Sequence, residues 1–213
     1  MIGATTATHL PGFSAPVHDA QRTFRAVLQA MARPTLPQDV DPVREGRLRT
    51  PAPLGAVAGA VLLTLCDEQT PIWLDRALAA SEDVREWIRF HTGARLVASS
   101  GDALFAVASS PSAAPRLADL AQGTDEEPHL SATLVIDATG TAPVGAFVAT
   151  GPGVDGSVAW DGSGLPRVHG EDGFLAQWRR NRVGFPRGVD VVLAAETTVR
   201  ALPRTTELSE GSA

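Results

Sequence analysis

Three glycines in TGPGVDG, residues 150–156, spell G-x-G-x-x-G with Gly151, Gly153 and Gly156. Dinucleotide-binding folds use this spacing to bring a backbone turn against a pyrophosphate. That chemistry needs a strand before the glycines and a helix directly after them, because the phosphate rests on N–H groups at the helix N-terminus. The apolar run VGAFVAT, 144–150, supplies the strand. The helix is missing: SVAWDGSGLPRV follows, and Gly162, Gly164 and Pro166 interrupt any helix before about residue 171. Pro152 also removes an N–H from the cradle. The segment is expected to be a turn leaving the strand.

Arginine and histidine carry the remaining chemistry. The chain has no lysine; all 18 basic residues are arginine. Schiff-base catalysis and a Walker-type phosphate lysine are therefore impossible. In RFHTGA, 89–94, Arg89 and His91 lie at the end of a helix whose apolar face is Val84, Trp87 and Ile88. His91 continues that face and reads as a hydrogen-bonded core group, although a helix C-terminus also favours a protonated ring. In GFPRGVDVV, 184–192, Arg187 occupies a tight turn and Asp190 enters an apolar strand, where a carboxylate needs a cationic partner. In ALPRTT, 201–206, Arg204 and two threonine hydroxyls follow a strand end. They suit a phosphate or carboxylate, or tie down the chain. These five residues are the ligand- or partner-binding candidates, and no catalytic set emerges.

Other chemistries find no support. The five histidines form neither HExxH nor His-x-His, so no metal site is expected. Cys66, the only cysteine, excludes a disulfide or an iron–sulfur site in this chain alone and reads as a small core residue. GFSAP and DGSGL both fall short of a nucleophile elbow. A net charge of −6 argues against nucleic acid as a partner. The first residues lack the n-region and h-region of a signal peptide, and the longest apolar run, about 54–66, is too short to span a bilayer. A cytoplasmic protein with no membrane attachment is expected.

The elements that must position these residues alternate between helical and extended patterns. From Val17 to Ala32, the residues Ala20, Phe24, Val27, Leu28 and Met31 share a helical face, and Pro34 ends the helix. Residues 54–66 predict a buried helix. Ser81 caps a third helix, which Gly93 closes. A short helix is expected at 113–121 and an amphipathic one at 171–182. On the latter, Phe174, Leu175 and Trp178 beside Gln177, Arg179 and Arg180 form a combination common at interface cores, although a tryptophan on an amphipathic helix is more often plain core. Strands are predicted at 70–74, 95–99, 104–108, 132–138, 144–150, 189–195 and 198–202. The alternation implies one α/β domain over 13–206 with a mixed, largely buried sheet, a loose leader at 1–12 and a polar tail at 207–213.

Six collinear stretches carry a family resemblance: PGF (11–13), DAQRTFRAVLQAMARP (19–34), LLTLCDEQTPIWL (62–74), RFHTGA (89–94), FPRGVDVVL (185–193) and LPRTT (202–206). Over about residues 11–206 the sequence resembles the PhnH family, the H subunits of the bacterial carbon–phosphorus lyase system. Members usually carry glycine where this chain has Thr35, which puts the turn after the first helix in question. The resemblance implies a three-layer αβα sandwich related to pyridoxal-phosphate-dependent transferases, without their cofactor. It implies a homodimer, and partner subunits G, I and J that together attach an alkylphosphonate to ribose C1 of ATP with loss of adenine. No catalytic residues carry over to this subunit. The alternative is a stand-alone protein that binds a phosphate or nucleotide in an arginine-lined site.

Without a lysine, pyridoxal phosphate has no amine to anchor it. Titrating the cofactor into the protein is expected to leave the free-cofactor absorption spectrum unchanged. A stable protein-bound aldimine band would overturn this reading.

Overall fold

The computed structural model describes residues 10–166, 170 and 172–211. Helix α1 (Pro16–Ala32) begins with proline at its first turn, where the missing N–H is not needed. Strand β1 (Gln38–Asp39) and helix α2 (Asp41–Arg44) lead into helix α3 (Ala56–Leu65), whose residues are mostly buried as its all-round apolarity predicts. Strand β2 (Ile72–Leu74), helix α4 (Arg76–Ala80), helix α5 (Glu82–Thr92) and strand β3 (Leu96–Val97) follow. The Ser81 hydroxyl accepts from Val84 N, and Gly93 closes α5 at φ 72°, as the capping pattern requires. Then come β4 (Phe105–Ala108), β5 (Thr133–Asp137), β6 (Phe147–Thr150), β7 (Val158–Trp160), α6 (Phe174–Val183), β8 (Asp190–Ala194), β9 (Thr198–Leu202) and β10 (Glu207–Glu210).

Seven strands form a mixed sheet in the order β1-β9-β8-β5-β4-β2-β3. Only β9 runs against the others. Strands buried on both faces lose the polar–apolar alternation, and β5 and β8 are accordingly continuous runs of buried Leu, Val and Ile. One face (Ile72, Leu74, Val107, Val135, Val192, Val199) packs beneath α1, α3 and α5. The other (Ala106, Leu134, Ile136, Val191, Leu193, Leu202) meets α6 and a second, three-stranded antiparallel sheet, β10-β6-β7. The third layer is therefore part helix and part sheet rather than purely helical.

Several expectations are corrected or refined. The helix at 113–121 is replaced by 3₁₀ turns at Pro111–Ala113 and Leu117–Asp119; Pro115 forces Ala114 out of the helical region, to ψ 132°. The tail is not loose: Glu207–Glu210 pairs with β6 as an edge strand. At the other end, Leu10 is tied down by side chains of α5, while residues 1–9 lie outside the described residues. On α1 the buried face is Asp19, Thr23, Ala26, Val27 and Ala30, whereas Phe24 and Leu28 are half exposed. Small residues let α1 approach α3 closely, and buried Asp19 is satisfied by Ala15 N, 3.0 Å, and Arg47 Nη1, 2.5 Å. The helix expected at 171–182 begins at Phe174, and its Phe174, Leu175 and Trp178 are core residues rather than an interface.

The glycine segment is the turn of the β6–β7 hairpin. At Gly153, φ 82°, a Cβ would stand 2.1 Å from the Ala32 carbonyl oxygen at the end of α1. The glycine thus serves a close backbone approach. The neighbouring carbonyls of a helix C-terminus repel a phosphate.

Thr35 leaves α1 at φ 67°, in the left-handed region that a β-branched residue rarely adopts. The turn retains a glycine-like conformation despite the threonine, because its backbone is fixed at both ends. Thr35 N donates to Ala201 O, 3.1 Å, and Arg200 Nη1 donates to Thr35 O, 3.1 Å. The buried Thr35 hydroxyl has no hydrogen-bond partner. Thr35→Gly is expected to raise the unfolding free energy by about 1 kcal/mol, the cost of left-handed backbone for a side-chain-bearing residue, measured by denaturant titration; a loss of stability would contradict the strain argument.

Candidate functional site

The five sequence candidates occupy two separate regions. Arg89 is exposed on α5. On the same helix, His91 is half-buried, donates from Nε2 to Leu10 O at 3.0 Å and meets Trp87 edge-on, with ring centroids 4.9 Å apart. Trp87 Nε1 donates to the same carbonyl, at 2.9 Å. His91 is therefore a clamp on the incoming chain rather than a core residue.

The other three lie at the amino-terminal edge of the parallel strands. Asp190 opens β8, and its partner is Arg204 rather than the nearer-in-sequence Arg187. Arg204 Nη2 donates to Asp190 Oδ2, 2.6 Å, and Nε to Oδ1, 3.2 Å, a bidentate pair. Arg204 Nη1 meets the Pro128 and Pro186 carbonyls and the Ser131 hydroxyl at 3.0, 3.2 and 2.8 Å. Both partners of the pair are only 15% exposed. The guanidinium is fully engaged by the chain itself. Arg187, exposed, instead pairs through Nε with Asp125, 3.0 Å.

Open α/β sheets bind ligands at the carboxyl ends of their strands, where successive connections diverge. Here that point lies between β2 and β4. From β2 the chain crosses through α4 and α5 on one face to β3. From β4 it crosses on the opposite face, past Leu117 and Leu120, to β5. A cavity of about 550 Å³ opens at these two strand ends, lined by Trp73, Asp75, Arg76, Ser109, Ser110 and Ala113 among others. Its floor is rigid. Asp75, almost fully buried, accepts from Leu78 N at 2.9 Å and from Ser109 N and Oγ at 2.7 and 2.6 Å. These bonds hold Ser109 in place and consume the carboxylate, leaving exposed Arg76, the Ser110 hydroxyl and the Trp73 ring toward the opening. The residues suit an oxyanion attached to a flat or apolar group.

A second, more polar cavity of about 220 Å³ lies at the ends of β5 and β8, with Thr141, Ser163, Glu196, Thr198 and Arg200 on its wall. Glu196 is held below the usual carboxylate range by its own N–H and that of Gly140, 2.7 Å away. Burial would raise the Asp161 carboxyl, but the Ser163 N–H and hydroxyl, with Arg200, outweigh it and lower it. Burial pushes the Cys66 thiol far up, as expected of a core residue and not of a nucleophile. Among the described residues no group of three His, Cys, Asp or Glu side chains could hold a metal, and no helix is long and apolar enough to cross a membrane.

The sequence reading missed Trp73, Asp75, Arg76, Ser109, Glu196 and Arg200. All but Arg200 sit at or just beyond the end of an apolar strand, in IWL-Asp75, FAVA-Ser109 and VVLAA-Glu196. That position was the available signal, although it becomes specific only once strand order is known.

The family model described as bacterial phosphonate metabolism protein (PhnH) matches residues 11–209. Alpha-D-ribose 1-methylphosphonate 5-triphosphate synthase subunit PhnH of Rhizobium meliloti (strain 1021) is 40% identical over 200 residues, covering 92% of this chain and 93% of that protein.

Replacing Arg204 with alanine strands Asp190 and two carbonyls at the sheet edge. A loss of about 3 kcal/mol is expected, as for breaking a largely buried ion pair. Arg187→Ala, at an exposed pair, is expected to cost under about 1 kcal/mol. Thermal or urea unfolding of the two variants checks this ordering, and equal losses would refute the hub assignment.

Proposed function

The chain belongs to the PhnH family of bacterial phosphonate metabolism proteins. From that membership we propose that it works as the H subunit of a ribose 1-methylphosphonate 5-triphosphate synthase in a carbon–phosphorus lyase pathway. The synthase attaches an alkylphosphonate to ribose C1 of ATP and releases adenine. In this reading the chain is an accessory, docking subunit in the cytoplasm, with the G, I and J subunits as partners. One observation supports the accessory role above the others: the polar candidates scatter, and Asp190, Arg187 and Arg204 are paired internally. An arginine-lined catalytic cleft would need those groups together and free.

We also propose that the fold is related to that of pyridoxal-phosphate-dependent transferases. The seven-stranded sheet with β9 as its single antiparallel strand supports this kinship. Their covalent cofactor has no lysine to bond here. A second reading, that the chain itself binds a small phosphorylated ligand, is favoured by the cavity between β2 and β4, because it stands where such sheets hold ligands.

Light scattering of the isolated chain at micromolar concentration is expected to report about twice its 22.2 kDa mass. Adding the I subunit is expected to move it into a larger species. A monomer indifferent to that partner refutes the docking role. Arg76→Ala separates the two readings: unchanged adenine release by the assembled synthase supports the accessory role, and a large drop with assembly intact supports the ligand site.

A further inference from the structure

Helix α1 carries two apolar stripes, and only one is used by the fold. Its small residues face α3, while Val17, Phe24 and Leu28 stand 69%, 49% and 50% exposed. Positions 17, 20, 24 and 28 share one helix face. The stripe opens into a wide, shallow depression. Between α1 and α3 it forms a groove of about 520 Å³, lined by Ala20, Phe24, Leu28, Thr64 and Arg25. Large apolar side chains grouped around a concavity mark an interaction site rather than ordinary surface scatter.

The charges around the groove identify what fits it. The protein as a whole is −6, yet the exposed ionic residues of α1 are Arg22 and Arg25, with Arg33 at its C-cap. The only acidic residue of the helix, Asp19, is buried and neutralised by Arg47. Arg22 meets Glu45 at 3.7 Å, but Arg25 and Arg33 form no ion pair among the described residues. A second copy of this chain is a poor occupant, since Arg25 flanks the stripe near its middle and a two-fold packing of α1 on α1 brings guanidinium towards guanidinium. A bilayer is also poorly matched, because the exposed stripe is only Val17, Phe24 and Leu28, too little apolar area for an interfacial helix.

We propose that the outer face of α1 is the surface through which this subunit docks on a partner subunit, and that the partner offers an apolar projection rimmed by carboxylates. Phe24 and Leu28 receive the projection, and Arg25 meets the carboxylates, which steers association and makes it salt-dependent. The inference rests on the docking role proposed above and adds the place and chemistry of contact.

The test is co-expression of the tagged chain with the G, I and J subunits, in wild-type form and as Phe24→Ser/Leu28→Ser or Arg25→Glu. The side chains are half exposed, so both variants are expected to melt like wild type. Each is expected to weaken capture of the partner subunits at least tenfold, and wild-type capture is expected to fall as salt rises. If wild type captures nothing, the docking role itself fails, and this proposal with it. If wild type captures partners and well-folded variants do so equally, the role stands and the α1 surface is wrong. Variants that lose self-association while retaining their partners assign the face to a second copy and also overturn the proposal.

Discussion

Arg204 presents five N–H donors at the end of β9, and the chain meets them with the Asp190 carboxylate, two proline carbonyls and a serine hydroxyl. One planar cation thereby fastens the start of β8, the turn before β5 and the loop after α6 at a single point. A guanidinium is suited to this because its donors are fixed in a plane and never deprotonate. The pair is sheltered enough that neither partner could remain charged and alone. The amino edge around β8 is thereby held by satisfied polar groups, while two cavities open at the carboxyl edge.

The chain thus has two distinct kinds of surface. At the carboxyl edge, Asp75 spends its carboxylate on Ser109 and the first turn of α4, building a rigid floor without a free acid or base. On the flank, α1 packs inward through alanine and threonine and leaves its bulky residues outside. The first surface suits recognition of a small molecule, and the second suits a macromolecular contact. Neither presents the converging nucleophile, base and oxyanion donors of a self-sufficient active site, which agrees with a subunit that works within an assembly.

Much of the architecture was legible in the sequence because its signals are local. A serine cap and a left-handed glycine bound α5 by backbone hydrogen bonding alone. TVRAL is a strand over its whole predicted length, and the glycine-rich turn was separable from a nucleotide site by the absence of a following helix. Six collinear stretches carry the family's pattern along the chain.

Tertiary structure decided what depends on residues far apart in the chain. Which stripe of α1 turns inward depends on Arg47 reaching Asp19 and on the closeness α3 demands, so Val27 and Met31 of the expected face pack inward while Phe24 and Leu28 stay outside. The partner of Asp190 is fourteen residues away, in the turn just past β9, whereas Arg187 is nearer in sequence. Strand β10 exists only because β6 offers an unpaired edge, which no property of ELSE alone reveals. The site between β2 and β4 is likewise a product of strand order. Sequence sets the chemistry available at each strand end, but only the packed sheet determines which strand ends become neighbours.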